Sequence, residues 1–242
     1  MTNVSICTVI RNRNEIFRST IPNWLHFDVF EILVVDFKDD ACESVWDIVE
    51  PLDDPRIKVI ETKHEYRWIS AIARNLACEY AMSDKMLMLD VDYTLSQNFF
   101  ERHDVADYKF ISGDAEQDSR SGLIYWTKNQ FRTVNGYNEN LMYWGHADTD
   151  LYNRLSQAGF VQEYADLKCV AHRLHDRNMS FENQIALYRS SDKGVFLHFN
   201  RYLCDSMPWT TQSEKIKWSL IQTEHPNKSL AVRNLRKHIQ RE

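Results

Sequence analysis

The sequence predicts an α/β fold built on a mostly parallel sheet, and three observations carry that expectation. Strand-like and helix-like stretches alternate over roughly the first hundred residues, the pattern of right-handed crossover units. Two strand-like runs, 30–35 (FEILVV) and 86–89 (MLML), are almost or wholly unbroken in hydrophobicity, as strands buried on both faces are. Both runs end in acid, Asp36 after the first and Asp90 and Asp92 after the second, at the edge where open α/β sheets bind ligands.

Residues 4–10 read as the first strand, stopping at Arg11-Asn12-Arg13, and the following residues up to Leu25 read as a helix broken or started around Pro22. After the second strand a helix is expected over 42–50. A Pro51-Leu52-Asp53-Asp54-Pro55 turn leads from it to a third strand over 57–61. Apolar spacing predicts a helix over 70–82 that feeds the strand before Asp90. Residues two apart in an extended chain point the same way, so Asp90 and Asp92 are expected to face one crevice together. Like charges so close repel, and a divalent cation relieves the repulsion; a lone Asp-x-Asp is otherwise a solvated turn.

Farther along, 109–112 and 122–127 look like strands, 131–137 like a turn leading to a loop, and 148–158 like a helix ended by Gly159. From about residue 181 the chain reads as mostly helical. The stretch 227–242 sets Lys228, Arg233, Arg236, Lys237 and Arg241 beside Leu230, Val232, Leu235 and Ile239. Such a basic amphipathic helix could lie on an anionic membrane, although a solvated helix accounts for it as well.

The 242 residues suit one compact unit, with 43% hydrophobic and 26% charged residues and no apolar run of about 20 residues that would span a bilayer. The opening residues do not read as a signal peptide, which favours the cytoplasm, with peripheral membrane contact through the basic segment as the variant. Five scattered cysteines form no C-x-x-C pair, against both a disulfide framework and a zinc knuckle. A net charge of -6 disfavours a dedicated nucleic-acid binder.

A parallel sheet with acids at its edge suggests a nucleotide, yet the chain has only six glycines and no glycine-rich phosphate loop. Phosphate charge would have to be met by Arg11, Arg13, Arg74 and a metal near Asp92. Taken in order, Arg11-Asn12-Arg13, Asp36, Arg74, Asp90-Val91-Asp92, Gly136-Tyr137-Asn138-Glu139 and YWGHADTDLYNRL resemble a GT-A glycosyltransferase over roughly residues 4–178. More narrowly the chain is similar to the inverting β-1,4-galactosyltransferase group and to family 2 glycosyltransferases.

That resemblance implies a Rossmann-like nucleotide-binding sheet with an acceptor-side carboxyl-terminal part: a nucleotide-sugar half over 1–110, an acceptor and catalytic half over 111–200, and a helical extension over 201–242. It implies that Arg11 and Arg13 contact the nucleotide, that Asp36 reads uracil, and that Asp90 faces the ribose and metal shell. Asp92 would bind Mn²⁺ (or Mg²⁺) directly, with His172 or His175 as a further ligand, His172 preferred. Asp148 aligns with the catalytic base and Trp144, followed by Gly145, with the aromatic wall of the sugar and acceptor pocket. Ala147, Thr149 and His146 depart from the family's Glu, Asp and Gly, so acceptor and donor sugar are not carried over.

The expected activity is transfer of a sugar from a UDP-sugar donor to a hydroxyl on a glycan, lipid-linked, protein or modified-nucleobase acceptor; a nucleic-acid acceptor stays open. Three rivals differ in signature. A nucleotidyltransferase would carry a glycine-rich amino-terminal loop, a metal-dependent hydrolase would turn over UDP-sugar with water, and a non-catalytic carbohydrate-binding module would bind glycans without turnover.

Overall fold

The longest apolar run becomes β2 (Val29–Phe37), which lies second from one edge of a seven-stranded sheet. The computed structural model describes residues 2–37, 43–62, 70–114, 121–141, 145–173 and 193–215. Besides β2 the sheet contains β1 (Thr2–Ile10), β3 (Ile57–Thr62), β4 (Lys85–Met88), β6 (Lys109–Ser112), β7 (Ile124–Thr127) and β8 (Val161–Tyr164). Their order is β3-β2-β1-β4-β7-β6-β8. β7 alone runs antiparallel to its neighbours. Both expected halves of the chain therefore contribute to one sheet. A short antiparallel pair, β5 (Tyr93–Leu95) and β9 (Val170–His172), sits outside it.

Burial on both faces explains why the strands read as continuous apolar runs. Along β1, Val4, Ile6 and Ile10 join the core that contains α1 (Asn14–Leu25) and α2 (Val45–Val49). Cys7 and Val9 join the opposite core, with α3 (Ser70–Tyr80). β2 divides likewise, Ile32 and Val34 against Leu33 and Val35, and so does β4, Leu87 against Met86 and Met88. The period of two thus survives where hydropathy alone conceals it.

Several expectations need correction. Pro22 neither breaks nor starts α1, which runs through it to Leu25. An interior proline costs about 3 kcal/mol, whereas Ile21 and Trp24 of the same turn are 1% and 0% exposed, each such burial contributing roughly 1.5–3 kcal/mol. The helix expected over 42–50 is shorter, because Ser44 caps it by accepting from the Trp46 amide and Glu50 passes into a 3₁₀ turn. The turn expected over 131–137 is overlapped by α5 (Lys128–Thr133), which starts earlier at a capping box. There Thr127 accepts from the Gln130 amide and Gln130 accepts from the Thr127 amide, a T-x-x-Q signal present in the sequence. A short α4 (Phe99–Arg102), β5, β8 and β9 were not expected at all.

The helix before Gly159 is α6 (Ala147–Gln157), one residue earlier than expected, and Gly159 follows it at φ +92° as an αL glycine does. Helix α7 (Lys193–Ser206) accords with the helical reading of the later chain, but residues 207–215 turn back onto the body, where Trp209 is buried and donates to the Asn135 carbonyl. The basic segment 227–242 lies outside the described residues. Among those described, no helix is long and apolar enough to cross a membrane.

Candidate active site

The site forms where β4 ends. After Leu89 the chain turns at Val91 and Asp92 before β5, with the Tyr93 amide donating to the Asp90 carbonyl at 3.1 Å. Side chains from β1 and α1 hold this turn by its carbonyls: Thr8 on Leu89 (2.9 Å), Thr20 on Val91 (2.7 Å), Trp24 on Tyr93 (3.0 Å) and Asn23 on Leu95 (3.0 Å). None of these four was singled out from sequence. The Asp92 carbonyl accepts from the Arg173 amide beyond β9 at 2.7 Å.

Because of that turn, Asp90 and Asp92 do not act as two residues of one extended strand. Asp90 continues the face of Met86 and Met88, towards α3 and α6. Its Oδ1 accepts from Arg74 Nη2 at 2.7 Å, and Arg74 Nη1 donates to Asp148 Oδ1 at 2.5 Å. Arg74, 6% exposed, thus joins the end of β4 to the first turn of α6, and it lies 5.3 Å from the Tyr137 ring centroid. Burial works against its charge, but Asp148 and Asp90 more than offset it and raise its pKa. Arg74 was expected on the nucleotide; the structure places both its terminal nitrogens on carboxylates.

Asp92 belongs to a second cluster. Its Oδ2 lies 3.2 Å from Arg13 Nη1 and 3.2 Å from His172 Nε2. At 4% exposure it is not part of a solvated turn. His172 stands opposite Tyr93 in the β5–β9 pair, which fixes the imidazole beside the carboxylate. Two donors about 2.1 Å from one divalent cation at a right angle are about 3 Å apart. The Asp92–His172 separation fits that requirement, and a carboxylate with an imidazole suits manganese. Among the described residues no group of three or more His, Cys, Asp or Glu side chains is gathered for a metal. Tyr93 links the clusters: burial, with the charges of Asp90, Asp92 and Asp148, raises its pKa and keeps the phenol protonated.

Burial pushes the Asp148 carboxyl up to about 6, opposed by Arg74 and reinforced by Asp90. His146 occupies the cap position of α6 at φ +70°, and its side chain makes no capping bond. Asp150, the other acid in the first turn of α6, pairs with Arg154 at 2.7 Å. Arg154 also donates to the carbonyls of Val134 and Gly136, fixing the Gly136-Tyr137 segment. Asn75 completes that tie, accepting from the Tyr137 amide and donating to Glu139.

Asp36 lies on the face of Ile32 and Val34, towards α1 and α2, and accepts from the Val45 amide at 3.5 Å. Arg11 stands 5.4 Å from the Phe37 ring centroid. Trp144 and His175 lie outside the described residues. Gly122 was missed: a Cβ there would stand 2.0 Å from Asp90 Oδ2. Tyr152 pins its neighbours by donating to the carbonyls of Ser121 and Leu123.

Comparison with known proteins points the same way as the geometry. The family model described as glycosyl transferase family 2 matches residues 5–141, more than half of the chain. A second, described as the N-terminal domain of galactosyltransferase, matches residues 107–181. No curated protein matches. Among solved structures, the mannosyltransferase PcManGT from Pyrobaculum calidifontis, in complex with GDP-Man and Mn²⁺, is 13% identical with a TM-score of 0.58; the match covers 72% of this chain and 58% of that one. The catalytic domain of Drosophila β1,4-galactosyltransferase 7, complexed with xylobiose, is 15% identical with a TM-score of 0.52, covering 78% of this chain and 80% of that one. GalNAc-T7 with UDP, GalNAc and Mn²⁺ is 13% identical with a TM-score of 0.59, covering 72% and 43%. The chain thus spans well under two thirds of two of these neighbours, and at such identities the likeness establishes the fold.

Proposed function

The chain belongs to glycosyl transferase family 2, with a GT-A fold, and we propose that within that family it moves a sugar from a UDP-sugar donor to a hydroxyl acceptor with inversion at C1. One observation carries this reading: Arg74 brings Asp148 at the start of α6 against Asp90 at the end of β4, so the candidate base stands beside the candidate donor site. An inverting transfer needs one carboxylate to take the acceptor's proton as its oxygen attacks C1. Asp148, with a pKa near 6, is ionised at neutral pH yet basic enough for that task.

Asp92 and His172 would hold the divalent cation, Mn²⁺ or Mg²⁺, and His175 stays a candidate further ligand. When bound, the cation would neutralise charge on the departing UDP. The PcManGT and GalNAc-T7 structures, and that of a Drosophila galactosyltransferase variant containing UDP-Gal and xylobiose, contain manganese, which supports this assignment. Arg13 stands at the amino-terminal end of α1, where the helix dipole also favours an anion, and is assigned to phosphate. Arg11 serves the nucleotide beside it, and Asp36 is assigned to uracil. Trp144 and Gly145 are assigned to the sugar and acceptor pocket, and the acceptor side to the half beyond residue 110.

The configuration of the product tests the proposal. With Mn²⁺ and α-linked UDP-hexoses screened against a panel of glycans, NMR of the new linkage should show a β-glycoside. An α-glycoside, or release of free sugar independent of acceptor, would contradict it.

A further inference from the structure

The start of α6 is also held by a part of the chain that lies beyond both family matches, which end at residues 141 and 181. Asn200 of α7, 1% exposed, donates from Nδ2 to the Gly145 carbonyl at 2.9 Å. Leu197 of the same helix packs so closely that its Cδ2 would stand 2.4 Å from a Cβ on residue 145. Farther along α7, Arg201 and Asp205 lie close enough to His146 to act on its charge, and Cys204 lies close enough to Asp150 to feel its charge.

The backbone gripped in this way is unusual. Gly145 and His146 are successive left-handed residues, at φ +92° and +70°. A glycine accepts that conformation freely, but a residue with a Cβ such as histidine disfavours it, so surrounding contacts must impose it. The pair turns the chain into α6, whose first turn presents Asp148 to Arg74 and closes with the Asp150 amide on the His146 carbonyl.

We infer that α7 is a brace for the catalytic turn, with Asn200 as a positioning residue that holds Gly145–His146 left-handed and so aims Asp148. The inference rests on the reading of Asp148 as the base. Asn200 touches no reacting atom; it acts through the Gly145 carbonyl. Because the brace contacts the Gly145–His146 turn rather than the Asp92–His172 cluster, its loss lowers turnover and leaves UDP and metal binding intact.

Two variants of the full chain test this. Asn200→Asp keeps the volume but removes the donor, and Leu197→Ala trims a half-exposed side chain with little risk to folding. Amide hydrogen exchange over residues 145–151 should accelerate about tenfold or more, with peptides from α3 and β1 unchanged. UDP titration in the presence of Mn²⁺ should match wild type while turnover of UDP-sugar falls about tenfold or more. Unchanged exchange in both variants overturns the inference. So does faster exchange with undiminished turnover when Asp148→Asn is inactive, since the brace would then not aim the base. If Asp148→Asn itself turns over normally, the reading of Asp148 fails, and faster exchange still supports the brace on the turn.

Discussion

Replacing Gly122 by alanine perturbs the site through a single methyl group. The backbone there is not left-handed, so the effect is steric: the new Cβ would lie 2.0 Å from Asp90 Oδ2 and 2.3 Å from its Cγ. Ordinary contact needs about 1.4 Å more than that shorter distance, and Asp90, at 32% side-chain exposure, is free to swing outward. The movement breaks its 2.7 Å bond to Arg74. If Asp90 also serves the nucleotide, swinging it away forfeits a charge-assisted hydrogen bond of about 1.5–3 kcal/mol to the donor, and donor affinity should fall roughly 10- to 150-fold. Arg74 then keeps Asp148 alone, and without the neighbouring negative charge the Asp148 pKa should drop below about 6. UDP titration with Mn²⁺ and the acid limb of the pH–rate profile read the two effects. Gly159→Ala is the control: nothing lies within 4 Å of its Cβ, so only its left-handed φ is strained, and UDP binding should not change. Wild-type UDP affinity together with an unshifted profile in Gly122→Ala would refute the steric chain from Gly122 to Asp148.

Other outcomes follow from the same geometry. Asp92→Asn preserves shape beside Arg13 and His172 but removes the charge, so Mn²⁺-dependent UDP binding should be lost with the fold intact, and His172→Ala should weaken it about 10-fold or more; calorimetric titration with and without Mn²⁺ checks both. Asp36→Ala should erode the preference for UDP over CDP and GDP without slowing the chemical step, as competition binding would show. Turnover should rise with pH through about 6 and level off above it, because Asp148 must be ionised to accept a proton. The folded-state pKa is raised above the unfolded value of 3.8, so the folded chain binds the extra proton in that window and this group's contribution to stability declines from about pH 4 to 6. Melting temperatures across that range, wild type against Asp148→Asn, report it.

What sequence revealed was what a short window contains. The apolar runs of β2 and β4, the acids at their carboxyl ends and the spacing of α3 were visible because strands and helices buried on known faces leave local patterns. The short strands β5, β8 and β9 were not. β8 is an edge strand with Val161 and Tyr164 exposed, and β5 and β9 have only three residues each, too few for a period to emerge. α5 was hidden by reading Phe131 onward as a turn, although the T-x-x-Q box before it was available. In the site, residue types were legible and partnerships were not. The period-two argument put Asp90 and Asp92 together, yet a turn held by Thr20, Asn23 and Trp24 from α1 separates them into two clusters. Arg74 was read as a phosphate contact because nothing near it in sequence indicates that Asp148, 74 residues later, returns to it. The roles of Gly122 and Asn200 depend wholly on such distant contacts.

The central claim is that Asp148 is the base, and turnover of Asp148→Asn tests it most directly. Asparagine keeps the size of the side chain and its place beside Arg74 while removing the proton acceptor. Measured with Mn²⁺ and UDP-sugar donors, the substitution should reduce turnover by about 10²–10⁴-fold, with UDP affinity and melting temperature near wild type. Turnover close to wild type in that variant would contradict the account.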